Sequence, residues 1–277
     1  MFPKKIKSYA KINLGLKILN KRIDGFHNIQ SIFIEVSLCD YLTFQENKSY
    51  LLECNNKNIL NPNNTIHKTY QLMKKKFNFK KNYSINLEKN IPLCSGLGGG
   101  SSNAAYTIKT LNTLNQLNLS KKEMNQIAIQ IGSDVPYFLE GGVKFVEGRG
   151  EKITDFKERK QLKPLFILLV IPHFSISTKW AYNKIKKYLE PMIKKPKFPT
   201  LNDVRELKLF ENDFEKVVGL AYPEIMNIKK TMYKYGALYS GLSGSGSTMF
   251  GLYNNRELLD KSNHELSEYK THIASPV

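Results

Sequence analysis

The chain of 277 residues has little cysteine, and what it has is scattered. Its three cysteines, Cys39, Cys54 and Cys94, form no CxxC pair, and none lies in a cluster with histidine. An odd number of cysteines at irregular spacing excludes a complete disulfide framework and the usual structural zinc sites. We therefore expect the protein to work in a reducing compartment, the cytoplasm.

Long apolar runs are also missing. A membrane-spanning helix needs roughly 18–20 consecutive apolar residues, and no stretch of this sequence approaches that length. The run Leu165–Ile171 (LFILLVI) has instead the length that is typical of a buried β-strand. The basic residues near the N-terminus are followed by neither an apolar segment nor a cleavage site, so we expect no secretory signal and no membrane partner.

Acidic residues are scarce: 24 aspartates and glutamates stand against 42 lysines and arginines, a net charge of +18. An excess of this size can indicate a nucleic acid or another anionic partner. The lysines occur in short runs among asparagine and isoleucine, as in proteins encoded by A+T-rich genomes. Because basicity alone reports on solubility and nonspecific binding, it does not identify a specific nucleic-acid partner, and we expect none.

The strongest positive feature is the glycine-rich segment from Pro92 to Ala105, PLCSGLGGGSSNAA. Glycines let backbone N–H groups converge on one point, because no Cβ blocks the approach. Residues 103–117 follow with helical periodicity, and a helix N-terminus directs free N–H groups and positive potential at the same point. Gly96–Ser102 is therefore predicted to bind phosphate, whereas a flexible linker, the alternative, does not usually run straight into an amphipathic helix.

The common phosphate-binding motifs are nevertheless absent. A Walker A loop requires GxxxxGK[ST], and no lysine follows Gly100. The dinucleotide fingerprint GxGxxG fails because Ser101 stands where the third glycine should be. Protein kinases carry HRD and DFG triplets, and neither occurs in the chain. The glycine-rich segment must therefore belong to another class of phosphate loop.

Four further features each have an ordinary structural explanation. Gly241–Thr248 (GLSGSGST) is a hairpin loop or a second phosphate contact, and Asp134 in GSDVPYF is a helix-start carboxylate or a catalytic base. Lys11 in AKINL is an edge-strand lysine or a catalytic cation. Asp24–His27 (DGFH) is a turn, and a lone histidine is more often structural than functional.

In this order, AKINLGL, DGFH, GLGGGSSNAA, DVPYFL and SGSGS resemble the superfamily of galactokinase, homoserine kinase, mevalonate kinase and phosphomevalonate kinase, the GHMP kinases. The AKINL start, the DGFH turn and the triple glycine are most similar to its branch that phosphorylates a cytidine-diphosphate methylerythritol in the non-mevalonate isoprenoid pathway. The resemblance runs from Tyr9 to Gly251. It implies an α+β fold with an N-terminal domain, residues 1–156, like ribosomal protein S5 domain 2, and a ferredoxin-like C-terminal domain, residues 164–277.

The resemblance also implies a site. It makes the chain a phosphotransferase that uses ATP and Mg²⁺, with Asp134 as the base and Lys11 as its partner, and leaves the Mg²⁺ ligands unassigned. The positions implied to bind ATP are Asn64, Pro92, Leu93, Cys94, Ser95, Gly96, Leu97, Gly98, Gly99, Gly100, Ser101 and Ser102. The positions implied to bind the second substrate are Asn13, Phe26, His27, Thr178, Tyr182, Gly244 and Gly246.

Two positions depart from the family pattern, and two other functions stay open. His27 is implied to hold the cytosine between the rings of Phe26 and Tyr182, but the family usually has tyrosine where Phe26 stands. Ser133 replaces the usual alanine beside Asp134. The alternatives are a kinase of the homoserine or mevalonate type, or a basic RNA-binding module with an S5-like fold. We expect a monomer or a homodimer.

Overall fold

The computed structural model describes residues 3–185 and 197–277. Its strands within these ranges are β1 (Lys4–Lys21), β2 (His27–Asn47), β3 (Leu51–Cys54), β4 (Asn82–Glu88), β5 (Val143–Gly148), β6 (Lys152–Asp155), β7 (Phe166–Ile171), β8 (Tyr239–Leu242), β9 (Met249–Tyr253) and β10 (Lys270–Ala274). Its α-helices are α1 (Thr65–Phe77), α2 (Gly99–Leu114), α3 (Lys121–Ile131), α4 (Val135–Glu140), α5 (Thr178–Ile185), α6 (Phe214–Ala221), α7 (Pro223–Lys234) and α8 (Arg256–Glu265).

The chain divides into two compact units. The first unit comprises residues 1–10, 38–92 and 98–141, and the second comprises residues 11–37, 93–97 and 142–277. In the first unit, residues 41–47 of β2 pair antiparallel with β4, which pairs parallel with β3. In the second unit, residues 29–34 of β2 pair antiparallel with β5, and β5 pairs with β6. A separate antiparallel sheet has the order β10-β7-β9-β8.

Helices α1 to α4 build the helical side of the first unit. Helix α2 contacts α1, α3 and α4, and it buries Ala104, Ile108 and Leu111 at the i, i+4, i+7 spacing of a helix face that packs into a core. The sequence Ser120-Lys-Lys-Glu123 predicts a capping box that opens a helix, and the structure confirms it at the start of α3.

The four-stranded sheet carries the core of the second unit. Leu168 and Val170 of β7 pack with Met249 of β9 against apolar side chains of α6 and α7, including Phe214 and Met232. Residues 167–171 are all buried, as expected of a strand covered on both faces. The prediction that LFILLVI is a buried strand is therefore confirmed.

The sequence pattern predicts separate strands at Ile29–Val36 and Tyr41–Phe44 and a helix at Glu257–Tyr269, and the structure differs at both places. The two strands are one continuous strand, β2, and helix α8 ends at Glu265 and is followed by β10. Strand β10 pairs with β7 at the end of the strand order and is half exposed, so its apolar pattern is weak. The sequence also predicts a helix at Thr178–Leu189 and a loop rich in proline and lysine at Pro191–Pro199. The end of that helix and most of that loop lie outside the described residues. Among the helices that are described, none combines the length and the apolar character that crossing a bilayer requires.

Candidate active site

Helix α2 begins at the glycine-rich segment without a side-chain cap. Its N-cap residue, Gly98, has a left-handed backbone with φ of 69° and offers no side-chain acceptor. The first helical hydrogen bond runs from the Ser102 N–H to the Gly98 carbonyl at 2.9 Å. The N–H groups of Gly99, Gly100 and Ser101 therefore stand at the helix end, where no intrahelical acceptor reaches them. This arrangement, at the positive end of the helix dipole, suits a phosphate.

The two glycines that open α2 differ in the space around them. A Cβ on Gly99 would lie 2.9 Å from Ile91 Cγ2 and 3.0 Å from Lys89 Nζ, so a larger residue there must displace its neighbours. A Cβ on Gly100 would have nothing nearer than Thr65 Oγ1 at 3.6 Å. The Thr65 hydroxyl donates to the Gly100 carbonyl at 2.7 Å and ties the start of α1 to the glycine-rich segment.

Because of this difference, Gly100→Val separates phosphate binding from folding better than Gly99→Val does. We expect Gly100→Val to weaken ATP binding about ten- to 150-fold, with little change in thermal unfolding. The backbone N–H remains, but the added side chain obstructs the approach of a phosphate oxygen, at the cost of about one hydrogen bond to a charged group. Gly99→Val is expected to lose both ATP affinity and stability. Calorimetric titration with ATP, beside thermal unfolding, measures both quantities. Wild-type ATP affinity in a folded Gly100→Val protein would place the phosphate elsewhere.

Asp134 occupies the N-cap position of α4, but its carboxylate makes no capping hydrogen bond to that helix. Gly132, two residues earlier, lies close to the first turn of α2, since a Cβ built on it would be 3.8 Å from Ser101 Oγ. Helix α4 packs on α2, and Lys109 Nζ donates to the Phe138 carbonyl at 3.1 Å. The first unit thus brings the segment of Asp134 to the glycine-rich helix start, and capping does not explain the carboxylate.

Asn64 has a clear structural task. Its Oδ1 accepts the Ile66 N–H at 2.8 Å as the N-cap of α1, and its Nδ2 donates to the Ile59 carbonyl at 3.0 Å. Both ends of the side chain are therefore engaged at the start of the helix. Its implied role in ATP binding stays a prediction.

Lys11 in the second unit is buried, with 3% of its surface exposed. Its Nζ donates to Asn13 Oδ1 at 2.5 Å and to the Gly96 carbonyl at 2.9 Å, and it lies 5.0 Å from the centroid of the Phe33 ring. The Asn13 amide in turn donates to Ser31 Oγ at 3.1 Å. A solvated lysine at a sheet edge is thereby excluded, and the ammonium lies beside the glycine-rich segment.

The SGSGS segment is the loop of a hairpin between β8 and β9, and it also contacts the glycine-rich segment. Ser243 Oγ donates to the Gly96 carbonyl at 3.0 Å, and the Thr248 N–H donates to the Ser95 carbonyl at 3.1 Å. A Cβ on Gly96 would lie 2.0 Å from the Ser243 carbonyl oxygen, so this approach requires glycine. The two small-residue segments, about 150 positions apart in sequence, meet within the second unit.

The other residues of the glycine-rich segment that are implied to bind ATP differ in how far they are buried. Leu97 and Ser95 are buried, while Leu93 is exposed beside Cys94, whose exposed thiol sits on a residue with φ of 51°. Pro92 is partly buried.

The implied substrate-binding glycines of the hairpin loop have different neighbours. A Cβ on Gly244 would lie 3.4 Å from Asn13 Oδ1 and 3.5 Å from Lys11 Nζ, whereas one on Gly246 would meet the apolar side chains of Ile176 and Leu242. Thr178, at the start of α5, shares a 3.0 Å hydrogen bond with the Ser245 hydroxyl.

The aromatic positions form two pairs. His27, which is buried, stacks on Tyr182 with ring centroids 5.1 Å apart and planes 18° apart. Phe26 is 47% exposed, and the guanidinium of Arg149 lies 4.4 Å from its ring centroid. Each ring therefore carries a protein group against one face. Their implied stacking on cytosine stays a prediction.

Three residues whose contacts hold parts of either unit in place were not identified as functional from the sequence. Asp40 is fully buried and binds both Lys89 and the α2 residue Asn103. The Asn212 amide donates to the carbonyls of Leu242 and Gly244 at 2.7 and 2.8 Å, which fixes the hairpin loop. The third is Arg149, on Phe26. A carboxylate inside the apolar run LCDYL is a signal for a buried, paired charge, but nothing in the sequence names its partners.

Magnesium has no evident protein cage in the described parts of the chain. No group of three or more histidine, cysteine, aspartate or glutamate side chains is placed there to hold a metal ion. Mg²⁺ in kinases is generally held by substrate phosphates together with one or two carboxylates and water. That mode of binding requires no group of three protein ligands.

Two family models match the chain. The GHMP kinases N terminal domain matches residues 64–142, which include the start of α2 and Asp134, and the GHMP kinases C terminal model matches residues 198–269. The 4-diphosphocytidyl-2-C-methyl-D-erythritol kinase of Caldanaerobacter subterraneus subsp. tengcongensis is 39% identical over 95% of this chain and 92% of its own length. The chain belongs to the 4-diphosphocytidyl-2-C-methyl-D-erythritol kinase family of GHMP kinases. The enzyme of that name from Thermodesulfovibrio yellowstonii is 41% identical over 90% of both chains.

Solved structures agree with this assignment. A crystal structure of 4-(cytidine 5'-diphospho)-2C-methyl-D-erythritol kinase covers 98% of both chains with a TM-score of 0.82 at 25% identity. The Methanococcus jannaschii mevalonate kinase covers 100% of this chain and 99% of its own with a TM-score of 0.76, but at 14% identity it shows the fold alone. The predicted α+β GHMP kinase fold and the prediction of a phosphotransferase are thus confirmed for this member of the 4-diphosphocytidyl-2-C-methyl-D-erythritol kinase family.

Proposed function

We propose that this chain transfers the γ-phosphoryl group of ATP to the 2-hydroxyl of 4-diphosphocytidyl-2-C-methyl-D-erythritol, a step of isoprenoid biosynthesis by the non-mevalonate pathway. The observation that carries the proposal is the similarity over 95% of the chain to a kinase of that name. The uncapped, glycine-rich start of α2 supports the donor half of the reaction.

On the donor side, the N–H groups of Gly99, Gly100 and Ser101 bind phosphate oxygens of ATP. Phosphoryl transfer has a loose transition state in most analyses, so positioning and charge stabilisation contribute more than nucleophile strength. Mg²⁺, when bound, neutralises charge on the phosphates. The chain's own contribution is a row of backbone donors that are already oriented before ATP arrives.

On the acceptor side, the 2-hydroxyl oxygen forms a bond to the γ-phosphorus as the bond to the bridging oxygen of ADP breaks. The hydroxyl proton passes to the Asp134 carboxylate and then to water. The Lys11 ammonium stabilises the negative charge that develops on the reacting oxygens. Asp134 is placed for this task by α4, which packs on the glycine-rich helix α2.

At the cytidine end, His27 binds the base, and Phe26 and Tyr182 stack on it. Arg149 covers one face of Phe26, so the base would take the other face. The guanidinium also restrains the exposed Phe26 ring, because a cation is attracted to the face of an aromatic ring. We infer that Arg149 keeps Phe26 in place despite the missing tyrosine hydroxyl.

Phe26→Ala is expected to raise the KM for the cytidine substrate about 5–150-fold, on the basis that base–aromatic stacking is worth about 1–3 kcal/mol. The KM for ATP should change little, and steady-state kinetics with each substrate varied in turn measures both constants. An equal rise in the two KM values would contradict a role confined to the cytosine.

Phe26→Tyr is the finer comparison, because it adds one hydroxyl. If the family's hydrogen-bond partner is retained, the KM for the cytidine substrate falls modestly. If the pocket is rebuilt around phenylalanine, an unpaired buried hydroxyl weakens binding by about 1–3 kcal/mol. A lower KM for the cytidine substrate would therefore indicate the pocket usual in the family, and a higher KM would indicate a pocket rebuilt around phenylalanine.

The proposed reaction is tested by turnover of three candidate acceptors: 4-diphosphocytidyl-2-C-methyl-D-erythritol, homoserine and mevalonate. We expect ADP release only with the first, and a product whose mass is increased by one phosphoryl group. Turnover of homoserine or mevalonate alone would contradict the proposal. Polynucleotide binding that falls steeply with salt, without turnover of any acceptor, would favour an RNA-binding module instead.

Other expectations from the sequence stay predictions. They are the division into domains of residues 1–156 and 164–277, the cytoplasmic location, the absence of a specific nucleic-acid partner, and a monomeric or homodimeric state. ATP and the cytidine-diphosphate derivative are the small-molecule partners that this proposal requires.

A further inference from the structure

The buried carboxylate of Asp40, on β2, collects hydrogen bonds from two separate segments of the first unit. Asp40 is 0% exposed. Its Oδ1 accepts the backbone N–H groups of Asn90 at 2.7 Å and Ile91 at 2.8 Å. Its Oδ2 accepts Lys89 Nζ at 2.8 Å and Asn103 Nδ2 at 3.0 Å. One side chain thus joins the segment before the glycine-rich loop to the helix after it.

The charges in this cluster balance each other. A carboxylate without access to water is stable only when it is paired and hydrogen bonded, and Lys89 supplies the opposite charge. Burial lowers the pKa of Lys89, while Asp40 acts in the opposite direction. Lys89 Nζ also donates to the Ile91 carbonyl. The geometry of the cluster is therefore strongly determined, because a shift of any member leaves a buried charge unpaired.

The cluster reaches the first turns of α2 at two points. Lys89 Nζ and Ile91 Cγ2 lie 3.0 and 2.9 Å from where a Cβ on Gly99 would be, so they abut the first residue of the helix. Asn103, about one turn further along, is held by its amide. Asp40 thereby holds α2 at two places: at Gly99, where the free N–H groups of the first turn stand, and at Asn103, one turn later.

We propose that Asp40 is a positioning residue for the phosphates of ATP, acting through Lys89, Ile91 and Asn103 on the first turn of α2. The inference rests on the proposed function, because it assumes that this turn binds ATP. Asp40 is enclosed and contacts no substrate itself. Backbone donors that bind one phosphate act as a set, and a displacement of about 1 Å can lower their effect by up to about 10²-fold.

The first test is Asp40→Asn. Its Oδ1 can still accept the N–H groups of Asn90 and Ile91, but an amide nitrogen then faces Lys89 and Asn103, which are both donors. We expect the KM and the dissociation constant for ATP to rise about tenfold, as for the loss of one hydrogen bond to a charged group. The KM for the cytidine substrate should stay within about twofold.

Asp213→Asn is the matched control in the second unit. The Asp213 carboxylate also accepts a backbone N–H, from Ile18 at 2.8 Å, and a lysine, Lys17, at 3.2 Å. Both variants lose a charged acceptor of the same kind and should unfold at a lower temperature. Only Asp40→Asn should weaken ATP binding, because only Asp40 is linked to α2.

Asn103→Ala tests the same positioning role if Asp40→Asn does not fold. The Asn103 Oδ1 atom is buried and has no hydrogen-bond partner among the described residues. Alanine therefore removes one hydrogen bond and one unpaired oxygen together, Asp40 keeps its hydrogen bond from Lys89, and alanine is the best helix former. The loss of stability should therefore be smaller than in Asp40→Asn. ATP affinity is expected to fall several-fold. In the double variant with Asp40→Asn the two losses should not add, because they break one link.

The outcomes separate this inference from the proposed reaction. If wild-type protein phosphorylates none of the three acceptors, yet binds a non-hydrolysable ATP analogue more tightly than both variants do, the acceptor is wrong and the positioning role stands. If wild-type protein phosphorylates the cytidine substrate and folded Asn103→Ala binds ATP with unchanged affinity, the positioning role is overturned and the reaction stands. Losses that add in the double variant would also overturn it.

Discussion

Asp134→Asn is expected to lower turnover of the cytidine substrate by about 10²-fold or more while ATP still binds. This is the size of effect that follows when a positioned acid–base group is removed, and it corresponds to about 2.7 kcal/mol of transition-state stabilisation. The amide keeps the shape of the carboxylate but cannot take the hydroxyl proton. Asparagine has nearly the same size and can also stand at a helix N-cap, so we expect the variant to fold.

The measurement is kcat with both substrates saturating, beside calorimetric titration with ATP and thermal unfolding. Ser133→Ala is the local control, since it alters the neighbouring residue to the one usual in the family and should keep turnover within a few-fold of wild type. Near-normal kcat in folded Asp134→Asn would return Asp134 to a structural role at the start of α4.

Features that depend on neighbours in sequence could be predicted. The glycine run that enters a helix, the capping box at Ser120 and the buried strand β7 each follow from residues within a dozen positions of one another. Local preferences and packing agree in these elements, so the pattern was sufficient. The same holds for the hairpin loop Ser243–Thr248, whose small residues predicted a turn.

Features that depend on distant partners could not be predicted. Lys11 reaches the Gly96 carbonyl across 85 positions, and Asp40 reaches Asn103 across 63. A periodic pattern reports which face of an element is buried, but it does not report which polar group on another element lies opposite. For the same reason no signal in the sequence indicated the contact of Arg149 with Phe26.

For Asp134, the capping rule predicted the start of the helix correctly but not the hydrogen bonds of the side chain. An aspartate just before Val-Pro predicted a helix start, and α4 does begin there. The rule also expected the carboxylate to bond the first-turn N–H groups, and it makes no such bond. A polar residue at a capping position that does not cap is a better candidate for chemistry than the sequence alone indicated.

Lys11→Met is expected to lower kcat by about 10²-fold or more, with much smaller effects on the KM for either substrate. Removing one donor that stabilises developing charge in an enclosed site has effects of about 10²–10³. Methionine has a similar length and suits the site, because its thioether can pack on the Phe33 ring that now lies 5.0 Å from the ammonium. Lys11→Arg should not restore activity, since a planar guanidinium does not fit a site where the lysine is only 3% exposed.

Lys17→Met, on the same strand, is the matched control. Lys17 pairs with Glu211 and Asp213 at 3.1 and 3.2 Å, so its loss should lower stability without lowering kcat. In Lys11→Met the Gly96 carbonyl keeps the Ser243 hydroxyl at 3.0 Å as a donor, and the glycine-rich segment therefore stays attached. A folded Lys11→Met protein with wild-type kcat would mean that the ammonium only ties that segment to β1. A fall in kcat that exceeds any fall in ATP affinity would instead place its charge in the transition state, because an interaction lost there lowers kcat rather than ground-state binding.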